Sequence, residues 1–205
     1  MDKFDLTYLD SLIAQTSAER ENFQYYIPDE TDAEITYLPS KSKLCWAGLI
    51  ETLDFQLNMK RYRTQERSDL RSNCKNYFRI VRKSGKLLRI DNYSDGKLEY
   101  TYLAFYTGKL CYCFPFLENG SCYPSYTTAV RYENDTVREA WMVRSGHMLY
   151  YDYVPVDESR TALRYINYLS GCVEQPVNCK EIGVFCHKPE LTYTSVEHWS
   201  MWERE

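Results

Sequence analysis

Ser84-Gly85-Lys86-Leu87, Asp95-Gly96-Lys97-Leu98 and Thr107-Gly108-Lys109-Leu110 are near-copies of one tetrapeptide, spaced eleven and then twelve residues apart. Looser versions follow at Glu118-Asn119-Gly120-Ser121, Glu133-Asn134-Asp135-Thr136 and Ser145-Gly146-His147-Met148. Short apolar and aromatic runs separate them. Glycine reaches the positive φ that two-residue hairpin loops demand, so this rhythm is that of strands joined by tight turns. Residues 76 to 154 therefore read as an antiparallel up-and-down meander, and the rest of the chain is arranged around it.

The turns also set a register. A type I′ turn at Asp95-Gly96 puts Tyr93 opposite Leu98, Ile90 opposite Thr101 and Leu88 opposite Leu103. The same treatment of Thr107-Gly108 sets Phe105 against Leu110, Leu103 against Tyr112 and Thr101 against Phe114. Asn119-Gly120 adds Phe116 opposite Tyr123. For the first hairpin, a three-residue loop Lys83-Ser84-Gly85 sets Ile80 against Leu88 and Phe78 against Ile90. One face then collects Leu88, Ile90, Leu103, Phe105, Leu110, Tyr112, Phe114 and Phe116. The other collects Arg89, Tyr93, Tyr100, Tyr102, Cys111, Cys113, Cys122 and Tyr126. Because side chains alternate with period two, a slip of one residue would exchange the faces.

Before the meander, Leu6, Leu9, Leu12, Ile13 and Phe23 recur at helical spacing over residues 5 to 26. The acidic turn Pro28-Asp29-Glu30-Thr31-Asp32 closes that helix, and Ile35 to Leu38 form a short strand. Trp46, Ile50, Leu53 and Leu57 predict a second helix over 43 to 59, although Phe55, Leu57 and Met59 equally fit a strand. Arg63, Arg67 and Arg71 stand four apart, on one face if residues 64 to 73 are helical. After the meander, Asp157 as N-cap, the stripe Ala162, Leu163, Ile166 and Leu169, and Gly171 at the C-terminal end predict a helix from Asp157 to Ser170. Short strands from Ile182 to His187 and from Leu191 to Val196 precede a Trp-containing tail. The expected fold is α+β: a meander of about seven strands, a strongly curved sheet or half-barrel, covered by N-terminal helices and one C-terminal helix. A single domain spans 1 to 205: 1 to 75 mainly helical, 76 to 154 the meander, and 155 to 205 a helix, short strands and tail.

Composition narrows the function classes. Of 205 residues, 20 are Tyr, a residue that favours strands and whose hydroxyl needs a polar partner or water. No run reaches the roughly 18 apolar residues of a membrane span, and the charged start Met1-Asp2-Lys3-Phe4-Asp5 does not read as a signal peptide. Eight Cys without an export signal read as reduced thiols, and hence a cytoplasmic chain. Lys60 to Arg89 holds eleven Lys or Arg against two acids, a local charge of +9 within a chain of net −4. The remainder carries −13.

Enzyme signatures are missing. The Gly-Lys pairs lack the earlier Gly and the following Ser or Thr of a phosphate loop. No Gly-x-Ser-x-Gly elbow or His-Glu-x-x-His is present. His147 sits in a turn with Asp152 nearby in sequence. Cys111 and Cys113, with Cys122 across a turn, read as packing thiols. Cys172, Cys179, Cys186, His187 and His198 contain the metal-ligating residue types without a zinc spacing. They are the candidates for a metal or for a Cys/His enzyme, and no cofactor is expected.

The basic stretch is the functional lead. Arg63, Arg67, Arg71, Arg79, Arg82 and Arg89, joined by Lys75, Lys83 and Lys86, form a stripe leading to Tyr93, Tyr100 and Tyr102. Arg and Tyr are the residue types that anchor interfaces, and Arg reads carboxylates and phosphates in bidentate fashion. The reading is a non-enzymatic inhibitor- or immunity-type binding protein whose partner is another protein, acidic or phosphate-bearing, with no membrane role. Nucleic acid, or a nucleotide-like anion in a curved-sheet pocket, is the alternative, and an enzyme built on the C-terminal Cys/His cluster is the third.

Overall fold

The computed structural model describes residues 4–39, 66–124, 126–133, 136–157, 160–170, 178–186, 192–193 and 197–200. It contains one described helix, α1 (Leu6–Asn22), and twelve strands. These are β1 (Glu34–Pro39), β2 (Tyr77–Lys83), β3 (Lys86–Ser94), β4 (Lys97–Thr107), β5 (Leu110–Phe116) and β6 (Thr127–Glu133). There follow β7 (Thr136–Arg144), β8 (His147–Asp157), β9 (Arg160–Leu169), β10 (Asn178–Cys186), β11 (Thr192–Tyr193) and β12 (Glu197–Ser200). The antiparallel meander expected from the turns is present, with more strands and fewer described helices than the sequence suggested. The chain divides into two compact units, Asn22–Ala129 and Met1–Glu21 with Val130–Glu205.

In the unit Asn22–Ala129, β1 to β5 pair in sequence order, each antiparallel to the next. Ser84-Gly85 and Asp95-Gly96 have positive φ at both positions, the type I′ pattern. The first hairpin therefore has a two-residue loop, with Lys83 opposite Lys86, and not a three-residue one. Its irregularity falls instead inside the hairpin, beside Val81 and Arg82, so that Ile80 faces Ile90 and Phe78 faces Asn92. At the third turn only Gly108 has positive φ, so the loop is Gly108-Lys109 and Thr107 faces Leu110. That moves the expected pairs by two residues and leaves the faces intact.

A bulge between β3 and β4 has a larger effect. Tyr93 faces Leu98 as expected, but Asn92 then faces Tyr100, Ile90 faces Tyr102 and Arg89 faces Leu103. Two residues of β4 thus span one step of β3, and the sides exchange beyond it. Arg89 shares its side with Asp91, Leu103 and Phe114, whereas Tyr100 and Tyr102 share theirs with Ile90 and Ile80. The expected grouping of Arg89 with Tyr100 and Tyr102 is corrected accordingly. At the fourth turn Phe116 pairs with Cys122, not Tyr123. Neither side is bare in the middle of the sheet: neighbours Ile80 and Val81, and the whole run Cys111 to Phe116, are buried.

In the other unit, Asp5 caps α1 by accepting the Thr7 and Tyr8 N–H groups at 3.0 and 3.2 Å. Leu9, Leu12, Ile13 and Thr16 form its buried stripe. The Trp141 indole N–H donates to Thr16 Oγ1 at 2.9 Å, which satisfies both polar groups inside the core. Where a helix was expected from Asp157 to Ser170, Asp157 ends β8 and residues 160 to 169 are strand: β9 pairs with β8 and β10. Residues 66 to 73 are likewise not helical. The helix expected over 43 to 59 lies outside the described residues, as do Arg63, Cys172 and His187.

Candidate binding surface

The basic stripe is taken apart by its neighbours. Asp91 of β3 has no exposed side-chain surface and lies between two guanidinium groups, with Arg79 Nη1 at 3.0 Å and Arg89 Nε at 2.9 Å. Thr101 Oγ1 donates to it at 2.7 Å. Glu30, from the acidic turn after α1, closes the other side, pairing with Arg79 and reaching Arg89 Nη1 at 3.3 Å. Two cations and two carboxylates make a neutral cluster with charge-assisted hydrogen bonds on every member. The Arg79 hydrogen bonds hold the Glu30 carboxyl below its usual range, against the opposing effect of burial. Arg82 forms a two-pronged pair with Glu66 at 2.9 and 3.0 Å, and Lys83 meets Asp29 at 2.9 Å.

What stays outward is shorter. Arg67, Arg71 and Lys75 are exposed on the segment that leads into β2. That segment is tied at both ends. Arg67 and Tyr37 exchange backbone N–H···O bonds of 2.9 and 2.7 Å, so Arg67 stands beside the edge strand β1. At the other end, Gly96 N–H donates to the Lys75 carbonyl and Asp95 N–H to Asn76 Oδ1, both at 2.8 Å.

Between those two ties runs a tyrosine ladder. Tyr37 meets Tyr77 edge-on at 6.0 Å, and Tyr77 stacks on Tyr93 at 4.6 Å with the rings 11° from parallel. All three are half-buried. Burial is the main reason that the Tyr77 and Tyr93 hydroxyls are pushed up, with neighbouring negative groups adding to it. Tyr93 was legible as a surface candidate; Tyr37 and Tyr77 were not singled out. Tyr100 stacks instead on Tyr123 at 4.5 Å, and Tyr102 is buried.

The segment between α1 and β1 explains much of the remaining apolar surface. Phe23 leaves the helix and stacks on Phe114 at 4.4 Å, with Phe105 at 5.4 Å and Phe116 at 5.8 Å. Tyr26 donates its hydroxyl to the Ala104 carbonyl at 3.1 Å.

The other unit holds a second buried carboxylate. Glu139 accepts from the hydroxyls of Tyr8 at 2.6 Å and Tyr150 at 2.5 Å, and Arg131 Nε lies 2.6 Å away. Burial and the adjacent Glu139 charge push the Tyr150 hydroxyl far above its normal range. Its proton thus ties β8 to β7, while the Tyr8 hydroxyl on the same carboxylate latches α1 to the strands. His147 and Asp152 are five residues apart on β8, so strand geometry separates them and points them oppositely. Cys186 pairs with Arg160 and Thr192 at one end of β10, while His198 pairs with Lys180 near the other. Cys179, opposite Trp199, is one register step from His198. Comparison with models of protein families, with curated proteins and with solved structures found no match.

Proposed function

We propose that this chain is a binding protein that docks an acidic protein surface on the Tyr37-Tyr77-Tyr93 ladder and the adjoining Arg67, Arg71 and Lys75. The observation that carries this reading is the pinned basic segment beside a half-exposed aromatic ladder, in a chain whose stripe arginines Arg79, Arg82 and Arg89 are internally paired. Aromatic and Arg side chains with few rotamers to lose are effective interface anchors. A protein partner is favoured over nucleic acid for two reasons. The chain has net charge −4, which repels a polyanion beyond the local patch. Tyr77 and Tyr93 also spend facing ring surfaces on each other, leaving edges and hydroxyls in place of open stacking platforms. Catalysis plays no part in this reading, which sets the chain in the cytoplasm.

The test is capture of a partner from extract of the native source by wild type, by Arg67→Glu/Arg71→Glu, and by Lys109→Glu on the exposed β4–β5 turn. The expected outcome is an acidic protein retained by wild type and Lys109→Glu and lost by the double variant. Retention by the double variant overturns the reading, as does recovery of nucleic acid as the species whose retention depends on these arginines.

A further inference from the structure

The same ladder carries a chemistry that does not depend on docking. Tyr77 opens β2 and Tyr93 lies near the end of β3, and the two are direct cross-strand partners. Their rings are 4.6 Å apart and nearly parallel, and both side chains are half-exposed. We infer that Tyr77 and Tyr93 form an oxidative cross-linking site, in which a one-electron oxidant of the peroxide-driven haem peroxidase class joins the two phenols as an intramolecular dityrosine.

The reaction balances without any group from the protein. Each phenol loses one electron and its hydroxyl proton, and the spin spreads to the carbons ortho to oxygen. Two ortho carbons then form one C–C bond. Each gives up its ring hydrogen as the ring becomes aromatic again, and each oxygen regains a proton. One peroxide accepts the two electrons and two protons and leaves as two waters.

Among the described residues, stacking narrows the tyrosines to two half-exposed pairs, Tyr77–Tyr93 and Tyr100–Tyr123 at 4.5 Å, and of these Tyr77 and Tyr93 are the direct cross-strand partners. A radical on one ring finds the second phenol already stacked against it, so coupling is a local encounter and not a collision between molecules. The biaryl product keeps two ring centres at a separation close to that of the stack, so the rings must tilt and their attachment points spread slightly. Tyr77 is the first residue of β2, and the β3–β4 irregularity lies beside Tyr93, so both backbones sit where the ladder has room to yield. Tyr150 and Tyr8, in contrast, donate their hydroxyls to Glu139 and meet each other edge-on at 6.4 Å. Cys74, half-buried three residues before Tyr77, is the natural competitor, because its thiol can reduce a nearby tyrosyl radical.

The experiment treats the full chain at low concentration with horseradish peroxidase and hydrogen peroxide. It reads dityrosine fluorescence, the intact mass of the monomer and the identity of the cross-linked peptides. Wild type is expected to yield a monomer lighter by two hydrogen atoms, with Tyr77 and Tyr93 joined, and Cys74→Ser to raise that yield. Tyr93→Phe keeps an aromatic ring in the stack and removes the phenol, so this cross-link is expected to be lost while circular dichroism is unchanged. Unmodified folded Tyr77→Ala/Tyr93→Ala gives the same answer should the single variant rearrange locally. Cross-links that map to other pairs, that join only separate molecules, or that persist in Tyr93→Phe overturn the inference. Loss of partner capture in the preceding test leaves it standing, so the two proposals fail separately.

Discussion

Asp91 carries its charge with no exposed side-chain surface, and only its three donors make that tolerable. Replacing it by Asn preserves the shape and leaves Arg79 and Arg89 facing each other with one carboxylate between them. Breaking a buried pair in this way costs about 3–5 kcal/mol. Asp91→Asn is expected to lower the urea midpoint by a corresponding amount with an unchanged slope. Glu30 gives a different signature, because its folded pKa is depressed. Its contribution to stability is fully present above the ordinary glutamate value and is lost as pH falls through the lower folded one. Glu30→Gln should therefore flatten the acid side of the stability profile, measured by urea unfolding from neutral pH down through the carboxylate range. A decline from Asp29, held low by Lys83, should remain. An acid limb as steep in Glu30→Gln as in wild type would show that Arg79 and Arg89 do not depend on Glu30. None of this cluster was visible as a cluster in the sequence. Eleven cations in thirty residues were plain, but Glu30 reaches Arg79 from 49 positions away and Glu66 reaches Arg82 from 16. Charge density is local in sequence, whereas neutralisation is a property of the folded chain.

The turns were the most legible elements, since only a narrow set of residues tolerates their backbone. Gly96 and Gly120 share a positive φ, of 76° and 80°, but differ in surroundings. A Cβ on Gly96 would meet nothing, while one on Gly120 would lie 3.0 Å from Tyr25 Cδ1 and 3.3 Å from Cγ. Gly96→Ala should cost about 1–2 kcal/mol from its left-handed backbone alone. Gly120→Ala should cost more, because Tyr25 must leave Phe116, which it meets at 5.4 Å. In a Tyr25→Ala background that excess should vanish, and a double-mutant cycle of thermal unfolding measures it. An excess that survives would place the strain in the backbone. Bulges, by contrast, left no mark in the sequence: Glu99 reads as an ordinary strand residue, yet the step beside it exchanged the two sides of β4. Arg160 to Leu169 misled for another reason. Ala162, Leu163, Ile166 and Leu169 fit a helix, while Thr161, Tyr165, Ile166 and Tyr168 are strand formers, and pairing on both flanks decided the outcome. The unbroken run Cys111 to Phe116 did carry a signal of burial on both sides, since it lacks the alternation of a half-exposed strand.

At the scale of the whole molecule, the charge asymmetry of the sequence splits into two populations that salt can tell apart. Arg79, Arg82 and Arg89 are each less than a fifth exposed and sit against carboxylates at hydrogen-bond distance. Arg67, Arg71 and Lys75 project from an exposed segment. Screening acts on charges separated by water over a Debye length of about 8 Å at physiological ionic strength, and much less on buried pairs. Raising salt should therefore leave the urea unfolding midpoint nearly unchanged, apart from a small effect of the exposed Lys83–Asp29 pair. Association with an acidic partner should respond differently. Exposed patches act chiefly by steering encounter, so the on-rate should fall as salt rises while the off-rate changes little. In Arg67→Glu/Arg71→Glu that salt dependence should shrink or reverse. The measurement is stopped-flow association with the captured partner at several salt concentrations, alongside urea melts of each protein alone. Salt sensitivity in the melts comparable to that in the on-rate would mean that the buried arginines are more open to solvent than their burial indicates. A salt-independent on-rate would remove the patch from the recognition step and leave the tyrosine ladder as the docking element by itself.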